Sequence, residues 1–148
     1  MKANVNHLPI VREYGNRLRE NHVDKVAVMF IRFGRPVAKI YAREYFQSCL
    51  EKNIDRLVQV HDGIRLARFV MGSGAKNLPL LSLWNNSEME FEIESARGGE
   101  SFEKSIAEHL HGEWVGAQYQ SAYDVILKDG TRIECKGIGG AWHVEEIE

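Results

Sequence analysis

The sequence predicts a single α+β domain, and three observations support that prediction. Residues 42 to 60 place apolar side chains at helical spacing, and residues 88 to 94 alternate acidic and apolar side chains as a half-buried strand does. Asp129-Gly130, between two runs rich in β-branched and apolar residues, is typical of a β-hairpin. A chain of 148 residues is long enough to bury about two-thirds of its unfolded surface in one domain.

The composition indicates a soluble cytoplasmic protein. Its hydrophobic fraction of 44% and charged fraction of 27% are ordinary for a globular domain, and no apolar run approaches the ~20 residues that span a bilayer. The first residues, Met1 to His7, lack the apolar core of a signal peptide. Two cysteines, Cys49 and Cys135, are too few for a disulfide framework or a complete cysteine zinc site, so we expect both thiols to be buried.

The first half of the chain contains two helix signals and one hairpin signal. Pro9 to Asn21 predicts a helix, because proline is well tolerated near a helix start. Asp24 to Tyr41 predicts a hairpin with its turn at Gly34-Arg35-Pro36. Ala42 to Val60 predicts a long helix that Gly63 caps.

The middle of the chain gives weaker signals. Ile64 to Met71 fits neither period, and the three residues 72 to 74 predict a loop within the domain. Leu78 to Trp84 contains Pro79 and predicts a buried segment or a short edge strand. In Glu88 to Glu94 we expect Met89, Phe91 and Ile93 to face inward, with the glutamates in water.

The last third begins with a third predicted helix. Ser101 is a suitable N-cap for Phe102 to His111, whose apolar stripe is Phe102, Ile106, Ala107 and Leu110. Residues 113 to 120 predict one strand, which leads into the hairpin around Asp129-Gly130.

Charge divides the chain into a basic region, residues 1 to 85, and an acidic region, residues 86 to 148. The first holds 14 Lys or Arg against 7 Asp or Glu, and the second holds 5 against 14. This split indicates a basic surface for a polyanion, or two regions that face each other and cancel. The predicted phosphate-contacting residues of the first hairpin are Arg32, Arg35, Lys39 and Arg43; alternatively these charges only keep the hairpin soluble.

The register of the second hairpin follows from how its side chains sort. A two-residue loop mixes polar and apolar side chains on both faces, whereas a loop of Lys128-Asp129-Gly130, with Gly130 left-handed, separates them. The apolar face then pairs Tyr123 with Cys135, Val125 with Ile133, and Leu127 with Thr131. The polar face pairs Asp124 with Glu134, Ile126 with Arg132, and Ala122 with Lys136.

Two carboxylates opposite each other, roughly 5 Å apart at Cβ, repel and require a positive neighbour. Lys136 and Arg132 share that face and could neutralise Asp124 and Glu134 as a surface network. A divalent cation is the other solution, because Mg²⁺ is held by one or two carboxylates together with waters and phosphates.

The pattern Asp124, nine residues, Glu134, one residue, Lys136, followed by Gly137, resembles the active-site signature of the PD-(D/E)XK nuclease superfamily. Tyr123 stands where that signature has proline. Phe102 to Leu110 resembles the first core helix of the superfamily, in which Glu103 matches an active-site glutamate. The resemblance covers about residues 100 to 140 and implies a mixed β-sheet with flanking helices, as in restriction endonucleases.

The resemblance also implies a chemistry and a partner. Asp124, Glu134 and the backbone carbonyl of Cys135 would hold Mg²⁺ or Mn²⁺, Glu103 would complete the site, and Lys136 would orient water or offset charge on the phosphate. The expected reaction is phosphodiester hydrolysis in DNA. Two alternatives stay open, a non-catalytic nucleic-acid-binding or regulatory module and a small α+β protein-interaction protein.

The superfamily core continues with a helix and a strand after its lysine strand, whereas only 12 residues follow Lys136 in this sequence. Either the N-terminal part supplies that helix and strand in permuted order, or a second chain does. The second possibility predicts a homodimer.

Overall fold

The computed structural model describes residues 8–32, 35–52, 57–60, 63–66, 70–71, 86–94, 100–116, 123–137 and 142–143. These residues form three helices: α1 (Leu8–Glu20), α2 (Arg43–Lys52) and α3 (Glu100–His109). They also form ten strands: β1 (Lys25–Arg32), β2 (Arg35–Ala42), β3 (Leu57–Val60), β4 (Gly63–Leu66), β5 (Val70–Met71), β6 (Met89–Glu92), β7 (Glu113–Trp114), β8 (Val125–Ile126), β9 (Arg132–Gly137) and β10 (Trp142–His143).

The principal sheet is mixed. Its strands run in the order β6-β2-β1-β9-β8-β7, and β5 pairs in parallel with the end of β1. The hairpin β1–β2 and the hairpin β8–β9 join through one parallel pair, β1 with β9. Strands β10, β4 and β3 form a separate small sheet. The predicted α+β class, the predicted helix at α1 and the predicted hairpin at β1–β2 are therefore confirmed. The turn predicted at residues 34 to 36 is wrong in its position, because Arg35 and Pro36 already belong to β2 and pair with Arg32 and Ile31.

Helix α3 packs on one face of the principal sheet. Its buried residues are Phe102, Ile106 and Ala107, which confirms the predicted stripe, and Leu110 is partly buried. The sheet residues in the same cluster are Ala27, Met29, Ala38, Ile40, Val125, Ile133 and Cys135. Cys135 is buried there as expected, and Cys49 is buried in α2. Burial of these apolar groups fixes α3 over β7, β8 and β9.

Helices α1 and α2 cover the opposite face. Val26 and Tyr41 are fully buried, and they alternate along their strands with the residues that contact α3. The Tyr41 ring lies 6.1 Å from the ring of Phe46 in α2. The Gln47 amide of α2 donates to the carbonyl of Val11 in α1 at 2.9 Å. The sheet therefore lies between two helical layers.

The long helix predicted for residues 42 to 60 is wrong in its second half. Helix α2 ends at Lys52, and Leu57–Val60 is strand β3, which pairs with β4. The run Leu57 to Val60 contains two valines, which favour strands, and two of its apolar residues matched the helical period by coincidence. Gly63 begins β4 rather than capping a helix.

Two other boundaries and the burial of one residue differ from the sequence predictions. Helix α3 begins at Glu100, so Ser101 is a helical residue and not the N-cap. Strand β6 lies at the edge of the sheet, where Phe91 and Ile93 are partly buried but Met89 is 46% exposed, because α3 covers only part of the strand. β7 is a two-residue strand, and residues 117 to 120 of the predicted strand lie outside the described residues. The segment Leu78 to Trp84 lies outside them as well.

Helices α1 and α3 end with the same backbone motif. In α1 the N–H of Val23 donates to the carbonyl of Leu18 at 2.9 Å, and the N–H of His22 donates to Arg19 at 3.0 Å. In α3 the N–H of Gly112 donates to Ala107 at 2.8 Å, and that of His111 to Glu108 at 3.3 Å. These are the two bonds of a Schellman motif, in which the residue after the helix is left-handed. Here that residue is a histidine, with φ of 58° at His22 and 57° at His111.

Replacement of His111 by glycine is expected to stabilise the protein by about 0.5–1 kcal/mol, because a left-handed conformation costs a residue with a side chain about 1–2 kcal/mol. The midpoint of urea denaturation measures the effect. The matched control is Glu108→Gly, an exposed position within α3, which should destabilise by about 1 kcal/mol. A lower midpoint for His111→Gly would contradict the capping role.

Candidate functional site

The second hairpin has the register that the sequence predicts. The N–H of Leu127 donates to the carbonyl of Thr131, and the N–H of Gly130 donates to Leu127, both at 2.9 Å. Gly130 is left-handed, with φ of 92°. Hydrogen bonds from the hydroxyl and the N–H of Thr131 lower the pKa of the Asp129 carboxyl. The loop of residues 128 to 130 is therefore confirmed, as are the pairs Val125 with Ile133 and Ile126 with Arg132.

The ladder changes at Asp124. The N–H of Asp124 donates to the carbonyl of Ile133 at 2.9 Å, although Val125 is already the partner of Ile133. Two residues of one strand thus oppose one residue of the next, which is the arrangement of a β-bulge. The extra residue shifts the alternation, and the Tyr123 ring lies under the Arg132 guanidinium at 4.9 Å. The predicted pairing of Tyr123 with Cys135 is therefore wrong, and Ala122 lies outside the described residues.

The predicted pair of Asp124 with Glu134 is also absent from the ladder, although the backbone of Asp124 stays close to that of Glu134. Its backbone bonds to Ile133, and its carboxylate Oδ2 accepts the N–H of Cys135 at 2.8 Å, so Asp124 bonds to both residues that flank Glu134. The carboxylate occupies the place where the β8 backbone would otherwise continue. Glu134 is only 4% exposed. The two acidic residues of the motif are therefore neighbours at the point where the β8–β9 ladder ends.

The backbone of Cys135 is directed towards the same place. Its N–H points to Asp124. In an antiparallel ladder the N–H and C=O of one residue point to the same neighbouring strand, so the carbonyl of Cys135 also faces β8. Asp124, Glu134 and this carbonyl supply oxygen atoms only, and oxygen is the ligand that Mg²⁺ prefers.

Glu103 reaches this region from α3. Its Oε1 accepts the indole N–H of Trp114 at 2.9 Å and lies against Gly116. Between these two residues, the N–H of Val115 donates to the carbonyl of Asp124 at 2.9 Å. Glu103 is thus held next to β7 on the α3 face of the sheet, whereas Glu134 pairs with Val26 and points to the opposite face. Sequence reasoning missed Trp114; the signal was its polar N–H, because a partly buried tryptophan usually finds an acceptor.

The two basic residues of the motif are placed differently. Lys136 is in β9 in register with Val28, two residues beyond Glu134, and its side chain lies outside what the structure describes. The Arg132 guanidinium donates to the carbonyl of Asn21, just after α1, at 3.2 Å and also covers Tyr123. Arg132 is thus directed towards α1.

The four basic residues predicted to contact phosphate do not form one exposed surface. Lys39 is 1% exposed and its ammonium lies 2.7 Å from Oε1 of Glu90, so it has no surface with which to contact DNA. Arg43 donates to the carbonyl of Val23 at 2.9 Å. Arg35 is exposed and lies 3.7 Å from Glu92. The side chain of Arg32 lies outside the described part of the chain.

These pairs explain part of the charge division. Two glutamates of β6, and Glu88 just before it, face basic residues of β1 and β2. The pairs are Lys25 with Glu88, Lys39 with Glu90, and Arg35 with Glu92. The acidic strand therefore partly neutralises the basic hairpin, which is one of the two alternatives that the sequence left open.

Tyr41 is an unusual buried group on the face that α1 and α2 cover. It pairs with Val26, and Val26 pairs with Glu134. Its hydroxyl has no hydrogen-bond partner among the residues that the structure describes. Burial raises the pKa of the Tyr41 phenol well above its ordinary value, with smaller contributions from Cys49, Tyr45 and Glu90. Tyr41 therefore stays neutral at physiological pH.

The donor set fits a hard divalent cation. In the described ranges no three His, Cys, Asp or Glu side chains form a group that could hold a metal ion. Mg²⁺ needs fewer protein ligands, because it is usually bound through one or two carboxylates and retains several waters. Asp124, Glu134 and the carbonyl of Cys135 meet that requirement in residue type.

Comparison with known proteins identifies no relative of this chain. No family model matches the chain, and no curated protein or solved structure matches it. Among the described residues, no helix is both long enough and apolar enough to cross a membrane. The interpretation of the site therefore depends on its own geometry.

Proposed function

We propose that this chain is a metal-dependent nuclease that hydrolyses phosphodiester bonds in DNA, with an active site of the PD-(D/E)XK type. The observation that carries the proposal is the position of Asp124, which bonds to both residues flanking Glu134. Glu103 lies at the same end of the sheet, through Gly116 and Val115. Glu103, Asp124 and Glu134 come from a helix and a hairpin in the chain order of the superfamily signature.

The sheet topology supports the same proposal. A core of the superfamily type has a helix and a strand beside its lysine strand. Here α1 is followed by β1, which lies parallel to β9 with Lys25 opposite Ile133 and Met29 opposite Gly137. Asp24 reinforces the junction, because its carboxylate accepts the N–H of Arg132 at 3.0 Å. The N-terminal part of this chain thus supports the permuted core rather than one completed by a second chain.

In this proposal the protein residues prepare the site for a cation and a phosphate. Asp124, Glu134 and the carbonyl of Cys135 would hold Mg²⁺ or Mn²⁺, and Glu103 would complete the site. The bound ion supplies a water of lowered pKa and stabilises charge on the phosphate. The N–H of Cys135 orients the Asp124 carboxylate, and burial of Glu134 strengthens its attraction to a cation by lowering the local dielectric.

Lys136 would act on the reacting groups. An ammonium has three donors on a flexible stem and can orient a water or offset negative charge on the phosphate. Its position two residues beyond Glu134 puts both residues on one face of β9. In the non-catalytic alternative Lys136 and Arg132 together neutralise the acids, but Arg132 is directed towards Asn21 and Tyr123 instead.

The test is DNA cleavage by the purified protein with Mg²⁺ or Mn²⁺, on plasmid and linear substrates, with and without a chelator. We expect cleavage that requires the metal and that falls by about 10²–10³-fold in Lys136→Ala, the usual loss for a group that stabilises developing charge. The matched control is Lys128→Ala, which removes an exposed lysine from the same hairpin and should retain activity.

Equal cleavage by wild type, Lys136→Ala and Lys128→Ala would indicate a contaminating nuclease and would overturn the proposal. Binding of DNA without cleavage, weakening steeply with salt, would favour the nucleic-acid-binding module instead.

A further inference from the structure

Tyr123 and Arg132 form a stacked pair on the face of the sheet that carries Glu134. Ile133 packs under α3, and side chains alternate along a strand, so Arg132 and Glu134 both point to the opposite face. The Arg132 guanidinium lies 4.9 Å from the centre of the Tyr123 ring. The bulge at Asp124 therefore directs Tyr123 to the same face as Glu134.

This pair is held in place from the end of α1. The Arg132 guanidinium donates to the carbonyl of Asn21 at 3.2 Å, and the backbone N–H of Arg132 donates to the carboxylate of Asp24 at 3.0 Å. Arginine has a planar, positively charged guanidinium that stacks on aromatic faces. Tyr123 is therefore an aromatic ring that a fixed cation covers from one side.

The ring lies on the open side of the proposed site. Glu134 is 4% exposed, whereas Tyr123 and Asp124 are both partly exposed. DNA would therefore approach the acidic pair from the side of Tyr123. The Cα atoms of consecutive residues are about 3.8 Å apart, so a phosphate bound at Asp124 has its nearest bases within reach of the Tyr123 ring.

An aromatic ring in this position selects for unpaired nucleotides. Inside a duplex both faces of a base are covered by neighbouring bases. A protein ring therefore stacks on a base that is single-stranded, lies at an end or has turned out of the helix. The positive charge of Arg132 beside the ring also favours the phosphate next to such a base.

We propose that Tyr123 is the stacking platform for an unpaired base beside the phosphate that is cut, so the substrate of this site is DNA with a single-stranded segment or end. This inference rests on the proposed nuclease function and adds a substrate class to it. The competing explanation is that Arg132 and Tyr123 only tie the hairpin to α1.

Two DNA substrates of the same sequence test the substrate class: a full duplex, and the same duplex with a single-stranded tail. With Mg²⁺ we expect kcat/KM of the wild type to be at least tenfold higher for the tailed substrate, the effect expected of one base–aromatic stack. Tyr123→Leu keeps an apolar side chain but removes the aromatic face. It should lose the preference and cleave the full duplex at the wild-type rate.

Two further variants make this comparison specific to the ring. Tyr123→Phe keeps the aromatic face and should keep the preference for the tailed substrate. The matched control is Tyr45→Leu, which removes another partly exposed tyrosine, from α2, and should leave both rates unchanged. If the urea midpoint shows that Tyr123→Leu does not fold, Tyr123→Met takes its place.

A second readout measures binding instead of cleavage. The probe is a single-stranded oligonucleotide containing 2-aminopurine, a fluorescent base whose emission falls when it stacks on a ring. Ca²⁺ replaces Mg²⁺ in this assay, because it also binds carboxylate oxygens. We expect the bound probe to be dimmer on the wild type and Tyr123→Phe than on Tyr123→Leu, and Tyr123→Leu to bind it about tenfold more weakly.

The inference is overturned if the wild type cleaves the two substrates equally, or if Tyr123→Leu retains the preference. An equal loss on both substrates in Tyr123→Leu also overturns it, because that result indicates a structural role. Loss of cleavage in Lys136→Ala together with any of these results overturns the substrate class alone. Unchanged cleavage in Lys136→Ala overturns the proposed function, and the substrate class with it.

Discussion

Replacement of Glu134 by glutamine is expected to lower the rate of DNA cleavage by about 10³-fold while the chain stays folded. Glutamine keeps the shape of the side chain but loses the charge that would hold a divalent cation. A metal ion contributes several kcal/mol to stabilising charge in the transition state, and each 1.36 kcal/mol corresponds to a factor of ten in rate. Glu134 is 4% exposed, so water replaces little of the lost attraction to the cation.

The measurement is the cleavage rate over a range of Mn²⁺ concentrations, with calorimetry of Mn²⁺ binding on the same samples. Glu113→Gln is the matched control, because Glu113 is an exposed glutamate of β7 in the same sheet. We expect near wild-type activity from the control and no measurable Mn²⁺ binding by Glu134→Gln. Unchanged Mn²⁺ affinity in Glu134→Gln would remove Glu134 from the site.

The hairpin shows what the sequence could predict and where prediction failed. Its register followed from sorting apolar side chains to one face and from Gly130 in the loop, and both signals are local. The bulge at Asp124 has no such signal, because it depends on a carboxylate that takes the N–H of Cys135 in place of a backbone carbonyl. The prediction assumed that each residue of one strand faces a single residue of the other. A bulge breaks that rule, so Tyr123 was assigned to the wrong face.

Local sequence patterns also could not predict contacts between distant parts of the chain. Lys39 was assigned to a solvent-exposed basic surface, yet it is buried against Glu90, 51 residues away. The parallel pairing of β1 with β9 joins residues more than 100 positions apart, and a parallel pair carries no turn signal between its strands. From the sequence we could predict only that the remaining helix and strand of the superfamily core had to come from the N-terminal part or from a second chain. Its charge division, by contrast, did indicate that basic and acidic segments could face each other.

Replacement of Phe102 by alanine is expected to lower the free energy of unfolding by about 3–5 kcal/mol, the usual cost of removing a buried phenylalanine. Phe102 is 1% exposed and is one of three α3 residues buried against the sheet. Ordinary domains are stable by only about 5–15 kcal/mol, so this change should leave a substantial unfolded fraction at physiological temperature. Urea denaturation followed by circular dichroism measures the loss.

Two further substitutions test whether the loss of stability comes from the buried Phe102 ring. Ser101→Ala changes an exposed residue of the same helix and should have little effect, whereas Phe102→Leu should lose less than Phe102→Ala because it leaves a smaller cavity. Phe102 is adjacent to Glu103, so its packing also determines where that carboxylate lies. A loss of less than about 1 kcal/mol in Phe102→Ala would mean that α3 is not packed on β8 and β9 as described. The position of Glu103 beside Trp114 would then lose its structural basis, even if Glu134 and Lys136 proved essential for cleavage.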